Sequence, residues 1–263
     1  MIYVFGDSFS KVFTLFKNTR VQVFSYKGAT LKGITKNTND NRLAIERTIR
    51  KNKNITHAVF SFGQVDINLS FYYDIVKNNG IIPNGGCANY SEYIKQYIEW
   101  ISNIPGRFRR IIIVPYPSPL DADHTLNSLI NYGSLTKEEV QIYHAQLEFC
   151  SNDIIRYTRY FEFINNLQKY CIKFNFHNNL IFINLNKYIL NENLLIKNEF
   201  CDISEYNMHL RWGPIIPYII REFGSNDVPI TDKDVIENIN EIEETYIKDK
   251  TQWLTDNKQY WSK

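Results

Sequence analysis

The stretch Ile2-Tyr3-Val4-Phe5-Gly6-Asp7-Ser8-Phe9-Ser10 decides the fold of this 263-residue chain. Its first four residues are apolar without alternation, which is typical of a strand buried on both faces of a parallel sheet. Gly6, Asp7 and Ser8 then predict a turn at the carboxyl end of that strand. Ligands of open α/β folds bind at this edge of the sheet, so Ser8 is the first candidate for a functional residue.

Similar short apolar runs recur along the chain. They predict further strands at Val21–Ser25, Ala58–Phe62, Ile111–Val114 and Leu180–Ile183. Segments with helical spacing of apolar residues lie between them, at Asn41–Arg50, at Tyr90–Ile104 and from Lys137 to about Phe174. This alternation predicts an α/β domain over residues 1–224, a three-layer α/β/α sandwich with a mostly parallel, flavodoxin-like central sheet.

Three segments depart from this alternation. Ile82–Cys87 and Pro115–Gly133 are predicted as long loops, which near strand ends are often functional. Residues 225–263 are polar and acidic, and we expect them to form a helical C-terminal appendage. Thr231 and Asp234 resemble a capping box, which predicts a helix that begins there and runs through Ile247 or beyond. We expect the appendage to end with Trp253 and Trp261.

The composition excludes several classes of protein. The net charge is +2 and no long basic cluster occurs, so no nucleic-acid partner is predicted. No run approaches about 20 apolar residues, so no membrane span is expected. The four cysteines form no CxxC pair, and the first residues do not resemble a signal peptide. These features predict free thiols and a cytoplasmic protein, and they indicate neither a cofactor nor an oligomeric state.

A serine nucleophile needs an imidazole base, and the chain has five histidines. His57 and His144 fall in predicted strand and helix, and His177 falls in a turn. His124 lies in a predicted loop and is a weaker alternative for the base. His209, directly before a helix predicted near Gly213-Pro214, is the best candidate.

Gly6-Asp7-Ser8-Phe9-Ser10 is the first of five short motifs, which we call blocks and number in chain order. Four more blocks follow it. They are Lys27-Gly28-Ala29-Thr30, Phe62-Gly63-Gln64-Val65-Asp66, Val114-Pro115-Tyr116-Pro117, and His209-Leu210 followed by Gly213. Together with Gly6-Asp7-Ser8-Phe9-Ser10, their order over residues 1–223 resembles the GDSL/SGNH hydrolases. The resemblance implies that Ser8 is the nucleophile and His209 the base. It also implies an oxyanion hole formed by backbone N–H groups of Ser8 and Gly28, with a donor from the third block.

Two positions depart from the family pattern. Val65 stands where the family has an asparagine oxyanion donor, and the side-chain amide of Gln64 is the candidate replacement. Tyr206 stands where the family has an aspartate three residues before the histidine, and a neutral phenol cannot supply that charge. Asp202 is the preferred orienting acid; Glu205 and a Ser–His dyad oriented by a backbone carbonyl stay open.

Other polar residues have simpler interpretations. Asp7 and Asp66 are predicted to cap backbone N–H groups beside turns. Asp121, Asp123 and His124 lack further ligands at suitable spacing, so no metal site is predicted.

The sequence therefore predicts a serine esterase that removes an acyl group, such as acetyl, from a carbohydrate or another small alcohol. Tyr116 and Tyr132 are candidates for stacking on a sugar ring. Two alternatives remain: transfer of the acyl group to a sugar hydroxyl by the same serine, and a non-catalytic carbohydrate-binding or interaction protein on a decayed SGNH scaffold.

Overall fold

The computed structural model describes residues 1–17, 20–86, 90–175, 180–201 and 208–245. The strands within these residues are β1 (Ile2–Gly6), β2 (Val21–Ser25), β3 (His57–Ser61), β4 (Arg109–Ile113) and β5 (Leu180–Ile183). All five lie where the apolar runs predict them, although β3 and β4 begin one and two residues early. The helices are α1 (Leu31–Ile34), α2 (Asp40–Lys51), α3 (Phe71–Lys77), α4 (Ser91–Asn103), α5 (Ala122–Asn131), α6 (Lys137–Ile142), α7 (His144–Ser151), α8 (Asp153–Phe174), α9 (Asn186–Ile189) and α10 (Trp212–Ser225).

The strands form one parallel sheet in the order β2-β1-β3-β4-β5. The chain leaves β1 toward one side to build β2 and returns to the other side to build β3. The carboxyl end of β1 is therefore the topological switch point of the sheet, where open α/β folds have their binding crevice.

Both faces of the sheet are covered, and the alternation of side chains along β1 shows how. Tyr3 and Phe5 belong to the apolar layer that contains α2, α4 and α8. Ile2 and Val4 point into the opposite layer, which the 3-10 segment Ser8–Leu15 and α10 cover. Helices on both sides of a parallel sheet confirm the three-layer α/β/α class predicted from the sequence.

The long segments contain more breaks and more helix than the sequence predicts. The stretch from Lys137 to about Phe174, expected as one helix or two, is three helices, interrupted at Tyr143 and at Asn152, whose side chain caps α8. The loop predicted at Pro115–Gly133 contains α5, whose N-cap Asp121 accepts from the backbone N–H of His124. A short 3-10 turn, Pro83–Gly86, lies within the other predicted loop.

Helix α3, which precedes β4, and the helices that follow β4 build a third apolar cluster over the carboxyl edge of the sheet. Side chains of α3, α5 and α7 pack there against Phe9 and Met208, which are neighbours in sequence of Ser8 and His209. This cluster therefore encloses one side of the crevice at the switch point.

The described part of the C-terminal appendage packs on the domain. The box of Thr231 and Asp234 is present, but it caps a 3-10 turn of three residues rather than a long helix. The α-helix begins only at residue 239 and is described to 245. Glu243 of this helix accepts from the backbone N–H of Trp212 at 2.5 Å, at the start of α10. Trp253 and Trp261 lie outside the described residues.

No helix among the described residues is long and apolar enough to cross a bilayer. Cys150, Cys171 and Cys201 form no disulfide with another described residue, and Cys87 lies outside the described residues.

Candidate active site

Ser8 stands directly after β1, at the switch point. Asp7 turns the chain there: its backbone N–H donates to Ser61 at 3.1 Å, and its carboxylate accepts from the N–H of Phe9 at 3.0 Å. The capping function predicted for Asp7 is confirmed. Ser8 begins the 3-10 segment, so its N–H belongs to the first turn and has no partner within the helix.

Gly6 allows this turn to form. A Cβ on Gly6 would lie 2.6 Å from the carbonyl oxygen of Ser61 and 2.5 Å from Cβ of Ser10. Both distances are below any real contact, and the first involves the backbone of the neighbouring strand. The close approach of β1, β3 and the segment that carries Ser8 therefore requires glycine at this position.

His209 approaches Ser8 from the opposite end of the chain. Its Nε2 lies 3.4 Å from Oγ of Ser8, although 201 residues separate the two along the sequence. The imidazole is 2% exposed, and the residue stands three positions before the start of α10. A separation of this size is normal for a nucleophile and its base before substrate binds.

The other described histidines have partners elsewhere. His57 opens β3 and is buried, with its Nδ1 3.0 Å from the hydroxyl of Thr56. His124 lies in the first turn of α5, where its Nδ1 is 2.6 Å from the carboxylate of Asp121. His144 begins α7, 3.6 Å from the Glu148 carboxylate. His177 lies outside the described residues.

Aromatic side chains surround the imidazole of His209. The ring of Phe9 stacks on it, with centroids 4.0 Å apart and planes 18° apart. The hydroxyl of Tyr132 lies 3.2 Å from Nδ1 and also accepts from the backbone N–H of Met208 at 3.3 Å. The hydroxyl of Tyr116 accepts from the N–H of Leu210 at 3.3 Å.

The hydroxyls of Tyr116 and Tyr132 accept hydrogen bonds from the segment that carries His209. The sequence does not predict these contacts, and stacking of the two rings on a sugar stays a prediction. The sequence holds a partial signal for this arrangement. Asp121 as N-cap, with Leu126, Leu129 and Ile130 at helical spacing, is enough to predict α5, which ends just before Tyr132.

The second block forms a turn beside the end of β1. The N–H of Tyr26 donates to the carbonyl of Gly6 at 2.8 Å, and the N–H of Ala29 donates to that of Tyr26 at 3.1 Å. Gly28 has φ +68° in this turn, a backbone conformation that favours glycine. The position predicted for one oxyanion donor therefore lies in a tight turn held against the strand that carries Ser8.

Asp66 joins the third block to the second. Its two carboxylate oxygens accept from the backbone N–H groups of Leu31 at 2.6 Å and Lys32 at 3.3 Å. The capping function predicted for Asp66 is confirmed, and its partner is the start of α1, directly after the Gly28 turn.

Gln64, the predicted replacement for the missing asparagine, has a specific partner. Its Oε1 accepts from the N–H of Tyr116 at 2.9 Å, and its Nε2 donates to the carbonyl of Tyr116 at 2.5 Å. These bonds use the carbonyl oxygen and one of the two amide N–H bonds. Gln64 therefore fixes the backbone of Tyr116, and its second N–H is the one that the oxyanion prediction requires. Val65 packs in the third apolar cluster.

Burial perturbs both aspartates of the motifs. Burial raises the pKa of Asp7 to about 8, opposed by the hydrogen bond from Phe9 and reinforced by the charge of Asp66. Burial also raises the pKa of Asp66 to about 6, opposed by the N–H groups of Leu31 and Lys32. Asp7 is therefore mostly neutral at pH 7. A neutral carboxyl group still accepts the hydrogen bond from the N–H of Phe9, but it supplies no fixed negative charge.

The remaining predicted site residues either lie outside the described residues or are found on the surface of α5. Asp202, Glu205 and Tyr206 lie outside the described residues, so the choice of orienting acid stays a prediction. Asp121 and the ring of His124 pair with each other on the surface of α5. Among the described residues, no group of three or more His, Cys, Asp or Glu side chains is arranged to hold a metal ion.

The fold and the site together define an α/β protein with a serine–histidine pair at its switch point. No protein-family model and no curated protein sequence matches the chain. Among solved structures, the chain is similar to "a putative platelet activating factor from Streptococcus pneumonia", at 12% identity and a TM-score of 0.44. That similarity covers 85% of this chain and 82% of the other one.

Proposed function

We propose that this protein is a serine hydrolase that cleaves a small acyl ester, with Ser8 as nucleophile and His209 as general base. The observation that carries the proposal is the 3.4 Å separation of Ser8 Oγ and His209 Nε2 at the sheet's switch point. A serine hydroxyl becomes a useful nucleophile only when an imidazole takes its proton. A chance pairing of two residues from opposite ends of the chain would not be expected at this one crevice.

The reaction follows from these two groups. Oγ of Ser8 attacks the ester carbonyl while its proton passes to Nε2 of His209. The carbonyl oxygen becomes an oxyanion, for which the backbone N–H groups of Ser8 and Gly28 are the proposed donors, with Gln64 as the third. The imidazolium returns the proton to the leaving alcohol, and water then releases the acid by the same steps. Each oxyanion donor is worth about 2.7–4 kcal/mol in the transition state.

The acyl group that we propose is acetyl or one of similar size, and the alcohol is a carbohydrate or another small molecule. Support comes from the crowded surroundings of the pair. The imidazole is enclosed by Phe9 and Tyr132, and the third apolar cluster lies beside it. A small acyl group needs less space beside these side chains than a long acyl chain does.

The test is hydrolysis of 4-nitrophenyl acetate by wild type and by four single variants. We expect Ser8→Ala and His209→Gln each to lower kcat by at least about a hundredfold, the usual contribution of nucleophile activation and general base. His124→Gln is the matched histidine control, and Ser25→Ala is the matched serine control at the same sheet edge. Both controls should keep most of the activity.

A serine-reactive phosphonate supplies an independent measurement. It should add one adduct to wild type, located at Ser8 by peptide mass spectrometry, and none to Ser8→Ala. If wild type neither hydrolyses the ester nor reacts with the phosphonate, the hydrolase proposal is wrong and a non-catalytic binding protein is the better interpretation.

A further inference from the structure

The segment Met208–Leu210 is fastened at both ends by tyrosine hydroxyls. Tyr132 Oη accepts from the N–H of Met208, and Tyr116 Oη accepts from the N–H of Leu210. The two tyrosines come from the chain between β4 and α6, far in sequence from the histidine. They differ in one respect: Tyr132 Oη also lies 3.2 Å from Nδ1 of His209.

The state of Nδ1 decides whether His209 works as a base. A neutral imidazole carries one hydrogen, on either Nδ1 or Nε2. Nε2 takes the proton of Ser8 only when the hydrogen is on Nδ1. A hydrogen-bond acceptor at Nδ1 stabilises that tautomer. In functional histidines, the hydrogen bond made by one ring nitrogen commonly sets the state of the other.

The contacts of Tyr132 allow two arrangements at Nδ1, and the proposed base role of His209 requires the one in which Tyr132 accepts. The backbone N–H of Met208 is only a donor, so its 3.3 Å bond already directs a hydrogen at Oη. A phenol oxygen accepts through lone pairs while its own hydrogen points elsewhere. In the opposite arrangement, with Tyr132 donating to Nδ1, the hydrogen of the ring would sit on Nε2 and face Ser8.

We infer that Tyr132 is a positioning residue whose hydroxyl oxygen accepts the Nδ1 hydrogen of His209 and so fixes the tautomer in which Nε2 is the base. The inference rests on the proposed hydrolase function. During the attack the serine proton moves to Nε2, and the imidazolium then carries both hydrogens. Tyr132 keeps accepting from Nδ1 and exchanges no proton itself. A neutral phenol stabilises this imidazolium less than a carboxylate does, because a carboxylate adds the attraction of an opposite charge to the hydrogen bond.

The experiment uses the full chain with histidine rings labelled with 15N. Ring nitrogen chemical shifts distinguish a nitrogen that carries hydrogen from one that does not. Spectra are recorded at about pH 8.5, about two units above the ordinary histidine pKa, so that neutral rings dominate. His209→Gln identifies the His209 signals by their loss. Wild type should show Nδ1 protonated and Nε2 unprotonated at His209.

Tyr132→Phe is the test variant, and Tyr116→Phe is its matched control. Both remove one hydroxyl that accepts from the same backbone segment, but only Tyr132 contacts Nδ1. We expect Tyr132→Phe to shift the His209 signals toward a mixture of tautomers, whereas Tyr116→Phe leaves them unchanged. On 4-nitrophenyl acetate, Tyr132→Phe should lower kcat about tenfold, equivalent to about 1.4 kcal/mol, with KM unchanged.

Two outcomes would overturn the inference. Unchanged His209 tautomer signals in Tyr132→Phe would show that another group holds Nδ1, and a shift in Asp202→Asn instead would identify that group as the predicted acid. Equal losses of activity in both tyrosine variants, without a tautomer change, would show that the hydroxyls only secure the backbone. The NMR measurement needs no turnover, so an inactive wild type would contradict the hydrolase proposal without deciding the role of Tyr132.

Discussion

The ring of Phe9 lies against the imidazole of His209, with centroids 4.0 Å apart and planes 18° apart. Phe9 directly follows Ser8, so the residue after the proposed nucleophile supports the face of the proposed base. The same ring belongs to the third apolar cluster, with Met208. Packing of the domain and orientation of the imidazole are therefore coupled through one side chain.

Phe9→Leu should lower kcat on 4-nitrophenyl acetate by up to about tenfold, because a stacked ring pair contributes about 0.5–1.5 kcal/mol beyond its buried area. Phe13→Leu is the matched control: Phe13 is buried on the same 3-10 segment and stacks on Phe223 instead. Both variants should lose stability on the order of 1 kcal/mol in urea unfolding. Equal activity losses in the two would refute a specific role for the Phe9 stack.

The contribution of Asp7 to the stability of the protein should fall as the pH rises above about 4. Burial raises its folded-state pKa to about 8, whereas an unfolded aspartate has a pKa near 3.9. A raised folded-state pKa means that the contribution is fully present below about pH 4 and is lost as the pH rises through 8. The slope for this one group is at most about 1.4 kcal/mol per pH unit.

Asp7→Asn tests this dependence, since the amide keeps an oxygen for the N–H of Phe9 but does not ionise. The free energy of unfolding, measured in urea between pH 5 and pH 8, should fall less steeply for the variant than for wild type. Asp66, whose pKa is raised to about 6, contributes in the same direction and remains in both proteins. Asp232→Asn, at an exposed position, is the control and should keep the wild-type slope.

Glu243 should stabilise the helix that follows His209. Its buried carboxylate accepts from the N–H groups of Trp212 and Gly213, and the N-cap Arg211 offers no side-chain cap. A carboxylate at a helix N-terminus is favoured by hydrogen bonding and by the helix dipole. Glu243→Ala should lower the free energy of unfolding by about 1–3 kcal/mol. The exposed neighbour supplies the control, Glu244→Ala, and an equal loss there would show that the appendage does not cap α10.

Gly6→Ala should be among the most damaging single-methyl additions in the chain. The added Cβ would collide with the backbone oxygen of Ser61, and strand β3 cannot move without breaking its pairing with β1. We expect loss of soluble protein or a fall of more than about 3 kcal/mol in stability. Gly224→Ala meets no atom within 4 Å and lies in α10, so it should be neutral or stabilising by up to about 1 kcal/mol. Comparable stability of both variants would contradict the close packing at Gly6.

Much of the fold can be predicted from the sequence, because the signals that specify it are local. Short, nearly continuous apolar runs predict the five described strands, since strands buried on both faces are mostly apolar. The edge strand β2 is the least buried of them, with Gln22 and Ser25 exposed. The helix α5 and the breaks at Tyr143 and Asn152 are missed. Asp and Asn are common in ordinary turns as well as at helix N-caps, so Asp121 and Asn152 alone do not distinguish the two. The apolar spacing after Asp121 is the additional signal for α5.

The sequence by itself determined that a serine follows the first strand and that a histidine precedes the last helix of the domain. Turn chemistry and apolar periodicity depend on a few neighbouring residues, so both can be recognised in the sequence. Only the tertiary structure decided which side chains contact the imidazole of His209. They are Phe9, from the turn that carries Ser8, and Tyr132, which lies 77 positions before His209 in the sequence. Tyr132 reaches His209 because α5 packs over the edge of the sheet, and no local sequence pattern predicts that contact.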